Sequence, residues 1–197
     1  MVSDFFVPCL QKAILYRRSA GYFTSAGLAL AARGVASLVS RGGRMQLVVS
    51  PYLEPQDIEA LQRAKERPSE ALATIVSRDL VEIEDSLMRD RLNALAWLAA
   101  SELLEIRLAL RLDDHGQISR GLYHEKVGIF TDNENNHVAF SGSSNETAGG
   151  LVENFECIEV FRSWNDPDGR IPEKLRDFKA LWENSTPGLR VIEFSNA

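Results

Sequence analysis

The stretch from Tyr16 to Val49 constrains the fold of this chain more than any other. Ser25 to Ser40 is rich in Ala and Leu, with apolar residues at helical spacing, which predicts a helix. Arg41-Gly42-Gly43 follows it as a glycine stop. On one side a short strand is expected within Tyr16 to Thr24, around Ala20-Gly21-Tyr22-Phe23. On the other, Met45-Gln46-Leu47-Val48-Val49 reads as a buried strand closed by Ser50-Pro51. A strand–helix–strand unit implies a parallel pair, and therefore an α/β sheet.

Around this unit the rest of the chain falls into place. Asp4 to Leu15 reads as a helix with Asp4 at its N-cap. Glu54 to Ser101 is helical and heavily charged, and Pro68 is expected to divide it into two helices. The second, 69–101, carries an apolar stripe through Leu72, Ile75, Val76, Leu80, Ile83, Leu87, Leu92, Leu95 and Leu98. This block reads as a helical insertion, at about 54–101, into a single domain spanning 1–197. Strands are expected at Leu104–Leu112, Tyr123–Thr131, His137–Phe140 and Phe155–Phe161. The polar run Asp132 to Asn136 turns the second of these into the third as a hairpin. A helix from Ile171 to Trp182 and a last strand at Leu189–Phe194 complete the expectation. Tyr22 and Phe23 are expected in the core, as are Trp97, Trp164 and Trp182.

Charge narrows the partners. The net charge of −6 argues against a generally basic nucleic-acid coat. Its distribution is uneven: residues 1–50 carry six basic side chains and one acid, whereas 51–105 carry six basic and twelve acidic. A basic N-terminal face suits a phosphate backbone, and the plainer alternative is that Arg17, Arg18 and their neighbours are solvated. No apolar run reaches the roughly 18 residues of a membrane span. The N-terminus lacks the basic and apolar regions of a signal peptide, so a cytoplasmic location is expected. The two cysteines, Cys9 and Cys157, form no C-x-x-C pair, which leaves disulfide and zinc readings weak. No cofactor or metal is expected.

The chemistry is concentrated in Tyr123-His124-Glu125-Lys126-Val127-Gly128-Ile129-Phe130-Thr131-Asp132, answered by Gly142-Ser143-Ser144-Asn145. In an extended run, residues two apart point the same way, so His124 and Lys126 face one side together. An imidazole can attack phosphorus, an ammonium can hold its oxygens, and a Gly-Ser-x-Asn turn offers a hydroxyl, an amide and backbone N–H groups to the same phosphate. His-x-Lys alone is common by chance. Its combination with Gly-Ser-x-Asn is much rarer.

These residues resemble the signature of the phospholipase D superfamily: histidine, any residue, lysine, then an aspartate, followed by Gly-Ser-x-Asn. The matching positions are His124, Lys126, Asp132, Gly142, Ser143 and Asn145. The pattern usually places four residues between lysine and aspartate, and this chain has five, so Asp132 either joins the site or only shapes the turn. Asn154-Phe155-Glu156 is similar to a segment of the family's nucleases whose acid contacts the histidine. The resemblance implies a mixed β-sheet flanked by helices on both faces. It implies His124, Lys126, Asn145 and Glu156 in catalysis, with Gly142, Ser143, Ser144 and Asp132 around the phosphate. The activity implied is metal-independent cleavage of DNA through a phosphohistidine.

That mechanism needs a second histidine to protonate the leaving oxygen. Besides His124 the chain has only His115 and His137, and neither repeats the motif. Family members with one motif per chain pair two chains, so a homodimer with one composite site is expected. Gly21-Tyr22-Phe23-Thr24-Ser25, ahead of an alanine-rich helix, also resembles nuclease-like domains fused in front of bacterial DEAD/DEAH-box helicases of the restriction and phage-defence repertoire. That implies a covalent link to a helicase. The chain itself has no Gly-x-x-x-x-Gly-Lys-Ser/Thr phosphate loop. Two alternatives stay open: a catalytically silent DNA-binding or dimerisation module of the same fold, and a phospholipid hydrolase.

Overall fold

A π-helical turn, Val2–Phe6, opens the chain and runs directly into α1 (Val7–Lys12), whose Pro8 sits in the first turn where no N–H partner is needed. The chain then extends as β1 (Ala13–Ala20). The computed structural model describes residues 1–75, 79–143, 145, 147 and 157–194. The first strand thus lies upstream of the Ala20–Phe23 expectation. Its sequence, Ala-Ile-Leu-Tyr-Arg-Arg-Ser-Ala, hides it, because two consecutive arginines read as surface.

The crossover helix is split at Ala31 into α2 (Ser25–Leu30) and α3 (Ala32–Ser40). Thr24 caps α2, its hydroxyl accepting from the Gly27 amide at 3.3 Å. The chain returns as β2 (Arg44–Val49), which pairs in parallel with β1 from Leu15/Arg44 to Ala20/Val49. Among the described residues, the inserted block holds four helices rather than two: α4 (Pro55–Glu66), α5 (Pro68–Leu72), α6 (Leu80–Arg89) and α7 (Arg91–Ala100). Pro68 begins α5, as its fixed φ favours. The break between α6 and α7 falls at Asp90, whose carboxylate accepts from the Asn93 amide.

The remaining strands are β3 (Leu104–Arg111), β4 (Val127–Asp132), β5 (His137–Gly142), β6 (Ile158–Arg162) and β7 (Leu189–Glu193), with α8 (Arg170–Trp182) between the last two. Together they form one seven-stranded mixed sheet in the order β6-β5-β4-β1-β2-β3-β7. β1, β2 and β3 run parallel, and β4 lies antiparallel to β1 at the centre. The protein is therefore α/β, with helices on both faces.

Each face has its own core. On one, Tyr16 stacks on Phe130 with ring centroids 4.6 Å apart, Phe140 stacks on the same ring at 5.9 Å, and Phe5 and Phe6 meet Phe130 and Phe140 edge-on beneath α1 and α3. Ile83, Leu87, Leu95 and Leu98 of the insertion join this core, whereas Leu72 is 42% exposed. Val76 of the expected stripe lies outside the described residues. On the other face, Ile129, Ala139 and Val48 pack against Ile171, Phe178 and Leu181 of α8.

Arg18 is fully buried, its guanidinium 4.8 Å above the Phe140 ring, and Arg17 donates to the Thr131 hydroxyl. Both arginines therefore serve packing rather than a solvated basic face. Burial lowers the pKa of Arg17. Phe23 and Trp97 are buried as expected and Trp182 stacks on Phe178, but Tyr22 and Trp164, also expected in the core, are 40% and 60% exposed. Among the described residues, no helix is long and apolar enough to cross a membrane.

Candidate active site

In an open α/β sheet, the ends of the parallel strands converge on one edge and are the usual place for a ligand. Four segments meet at that edge here. Gly21 and Tyr22 leave β1, Ser50 leaves β2, His124 and Lys126 lead into β4, and Asn145 follows β5.

Tyr123 to Lys126 is extended but lies outside the sheet, since β4 begins at Val127. The alternation nevertheless holds. Tyr123 is buried in the α8-side core and its hydroxyl donates to Glu125 Oε2 at 2.8 Å. Burial, and then the neighbouring Glu125 charge, pushes the Tyr123 phenol well above its ordinary value. His124 and Lys126 point to the other side. Lys126 Nζ lies 2.9 Å from Nε2 and 3.2 Å from Nδ1 of His124, so the ammonium sits close against the ring near both nitrogens.

Asn145 comes to the same point from β5. Its Oδ1 accepts from the Tyr22 backbone amide at 3.1 Å. That hydrogen bond fixes the amide orientation, leaving Nδ2 as the donor end of the side chain. Gly21 forms the floor. A Cβ on it would lie 2.3 Å from His124 Cδ2 and 3.3 Å from Asn145 Oδ1, so only glycine leaves room for both. The Gly21 carbonyl accepts a short hydrogen bond from the buried Ser50 hydroxyl. Imidazole, ammonium and carboxamide thus converge on one solvent-open spot: His124 is exposed and Lys126 and Asn145 are half-buried.

Other expected members sit elsewhere. The Gly142 amide donates to the Lys126 carbonyl at 3.3 Å, and the Ser143 amide to the Cys157 carbonyl at 3.1 Å. The Ser143 hydroxyl accepts from the Cys157 amide at 3.1 Å. These donors stitch the end of β5 to its neighbours and are not offered to a phosphate. A Cβ on Gly142 would collide with the Cys157 carbonyl at 2.1 Å, so this glycine answers a backbone approach.

Asp132 ends β4, opposite the end that carries Lys126. Its Oδ1 accepts from the Glu134 and Asn136 amides at 2.9 and 2.8 Å, and its Oδ2 accepts from Asn136 Nδ2. It shapes the β4–β5 turn and does not join the site. Its slight burial alone would raise its pKa, but the hydrogen bonds from Asn136 and Glu134 and the charge of His137 outweigh this and hold the carboxyl below its ordinary value. Ser144 and Glu156 lie outside the described residues.

His137 is also at the far end of β4–β5, buried with Nδ1 3.0 Å from Thr131 Oγ1. His115 occupies an Asx turn after β3, its amide donating to Asp113 Oδ1. Among the described residues, no group of three or more His, Cys, Asp or Glu side chains is placed to hold a metal ion. A cleft of about 540 Å³ around Arg44, Lys65, Glu102 and Phe194 contains none of the site residues.

Sequence reasoning missed Gly21, Tyr22 and Ser50 as site members. The signal was their position, each one or two residues past the carboxyl end of a parallel strand. No family model matches the chain. No curated protein matches it at a significant level.

Proposed function

We propose that the protein is a metal-independent phosphodiesterase acting on DNA. The observation that carries this reading is the convergence of His124, Lys126 and Asn145 on one exposed spot, from segments far apart in sequence. An imidazole nitrogen of His124 attacks phosphorus and forms a P–N bond while the P–O bond to the leaving strand breaks. Lys126 and the Asn145 amide neutralise and orient the non-bridging oxygens, where charge concentrates in the transition state. A bound phosphate draws the ammonium off the ring and frees the nitrogen lone pair. Water then displaces the imidazole and releases the phosphate end.

The leaving oxygen needs a proton. His124 of a second copy supplies it, so the proposal includes a homodimer with two facing motifs. The resemblance of Gly21 to Ser25 extends the proposal to a domain working with a linked helicase in restriction or phage defence.

The test is cleavage of plasmid and of single-stranded DNA in EDTA. The wild-type protein should cut, and His124→Ala should not. Acid-labile radiolabel retained on the wild-type protein from a labelled substrate would report the phosphohistidine. A stable monomer by gel filtration that still cuts would overturn the dimeric site. One observation favours a second reading, a silent DNA-binding module. Lys126 Nζ sits against both ring nitrogens, an arrangement that blocks the nucleophile. DNA binding without cutting by either protein would select that reading.

A further inference from the structure

The edge that carries the site also presents two tyrosines that neither core uses. Tyr22 is 40% exposed and Tyr52 is 63% exposed. They leave adjacent parallel strands: Ala20 of β1 pairs with Val49 of β2, and the Ser50 hydroxyl ties the two exits together through the Gly21 carbonyl. Tyr22 is the better fixed. Its amide donates to Asn145 Oδ1, and its ring stands edge-on to His124, with centroids 6.0 Å apart and planes at 79°. A rigid aromatic face is therefore held beside an imidazole and an ammonium.

Single exposed aromatic residues are ordinary. One locked against the candidate nucleophile, with a second on the neighbouring strand exit, matches a particular ligand. Nucleobases stack on aromatic faces whatever their identity, while cationic groups track the phosphates between them. In a duplex those base faces are already covered by their neighbours, so only an unpaired strand offers them. We infer that the site takes single-stranded nucleic acid, with one base stacked on Tyr22, a neighbouring base on Tyr52, and the adjoining phosphate on Lys126 and His124. This inference rests on the phosphodiesterase reading for the phosphate position but not for the stacking.

The test is fluorescence anisotropy at fixed ionic strength, since salt alone changes such affinities. The full chain is titrated with a labelled single strand, a duplex of the same sequence, and an abasic strand of equal length. The wild-type protein should bind the base-bearing single strand most tightly. Tyr22→Ala should weaken that complex about tenfold and leave the abasic complex unchanged, while Tyr22→Phe should retain wild-type binding.

Equal wild-type affinity for abasic and base-bearing strands would overturn the inference. So would a Tyr22→Ala loss shared equally by all three ligands, or wild-type cleavage of duplex and abasic strands as fast as of the single strand. So would uptake of anionic phospholipid vesicles that depends on Tyr22 while oligonucleotide binding does not. A wild-type protein that binds bases in this way without cutting would overturn the phosphodiesterase reading and uphold the stacking.

Discussion

A Cβ added to Gly21 would lie 2.3 Å from Cδ2 of His124, well inside any contact that real side chains make. The relationship runs both ways. The glycine lets the β1 exit pass beneath the imidazole, and the imidazole is held in place by having that backbone as its floor. Gly21→Ala is therefore expected to push the ring away from Lys126 and Asn145. A shift of about 1 Å at a reacting group costs on the order of 100-fold in rate. The expected outcome is that loss in EDTA-resistant cleavage with an overall fold unchanged by circular dichroism. NMR shifts of the His124 ring protons should move, and full activity in the variant would show that the ring has room to spare.

Ser50 is expected to matter through the same floor. It is fully buried and donates to the Gly21 carbonyl, next to the amide that fixes Asn145. Ser50→Ala leaves a carbonyl without its donor, a loss worth about 1–3 kcal/mol. For a chain of this size the melting temperature should fall by about 2–4 °C per kcal/mol. Cleavage should fall further than stability explains, because the Tyr22–Asn145 link loses its brace. Ser50→Thr, which keeps the hydroxyl, should restore more of the rate than of the melting temperature if the brace rather than core packing sets activity.

The strand–helix–strand unit was legible because its signals are local: an apolar strand, helical spacing and a glycine stop lie within one short stretch. β1 was displaced in the sequence reading because Arg17 and Arg18 look like surface, and only the tertiary structure shows Arg18 over Phe140 and Arg17 on Thr131. The split between α6 and α7 is not legible because the apolar stripe runs through Asp90 without a break, although Asp90 is itself a cap. In the site, parity alone placed His124 and Lys126 on one side. Gly21 and Ser50 were not legible as partners, since the contact linking Tyr22 to Asn145 spans 123 residues. The residue types of Gly142-Ser143 suggest donors for a phosphate, whereas pairing across strands sends the Gly142 amide to the Lys126 carbonyl and the Ser143 amide to the Cys157 carbonyl.

The exit of β1 has a second brace. Asp57, at the start of α4, is fully buried and accepts from the Ser25 amide at 2.9 Å and from its hydroxyl at 2.5 Å. It joins the insertion to the first turn of α2, three residues beyond Tyr22. Asp57→Ala strips both donors of their acceptor at once, while Ser25→Ala removes only the hydroxyl. The first should cost more than the second, each within the range of about 1–3 kcal/mol per unsatisfied group. Because the two residues share one network, the double variant should cost less than the sum of the singles. Denaturant unfolding of the four proteins in the cycle would check this, and strict additivity would show that the contact contributes little.

The stability of the protein should depend on pH through His137. Arg17 Nη1 donates to Thr131 Oγ1 at 3.0 Å, and that oxygen lies 3.0 Å from His137 Nδ1. A guanidinium only donates, so Thr131 accepts from Arg17, and a charged imidazole would stand next to that guanidinium across one shared hydroxyl. That arrangement disfavours the charged ring. Burial, and then the charge of Arg17, pulls His137 below its ordinary value of 6.5, with Asp132 opposing. The unfolded chain takes up a proton as pH falls through that ordinary value, and the native protein resists until a lower pH. The stabilisation is thus complete above the unfolded value and is lost as pH falls toward the folded one. His137→Asn keeps a polar group able to accept or donate near the position of Nδ1 and removes the titration. Between about pH 7 and pH 5 the wild-type melting temperature should fall more steeply than that of the variant. Parallel slopes for the two proteins would show that His137 accepts its proton in the folded state without cost.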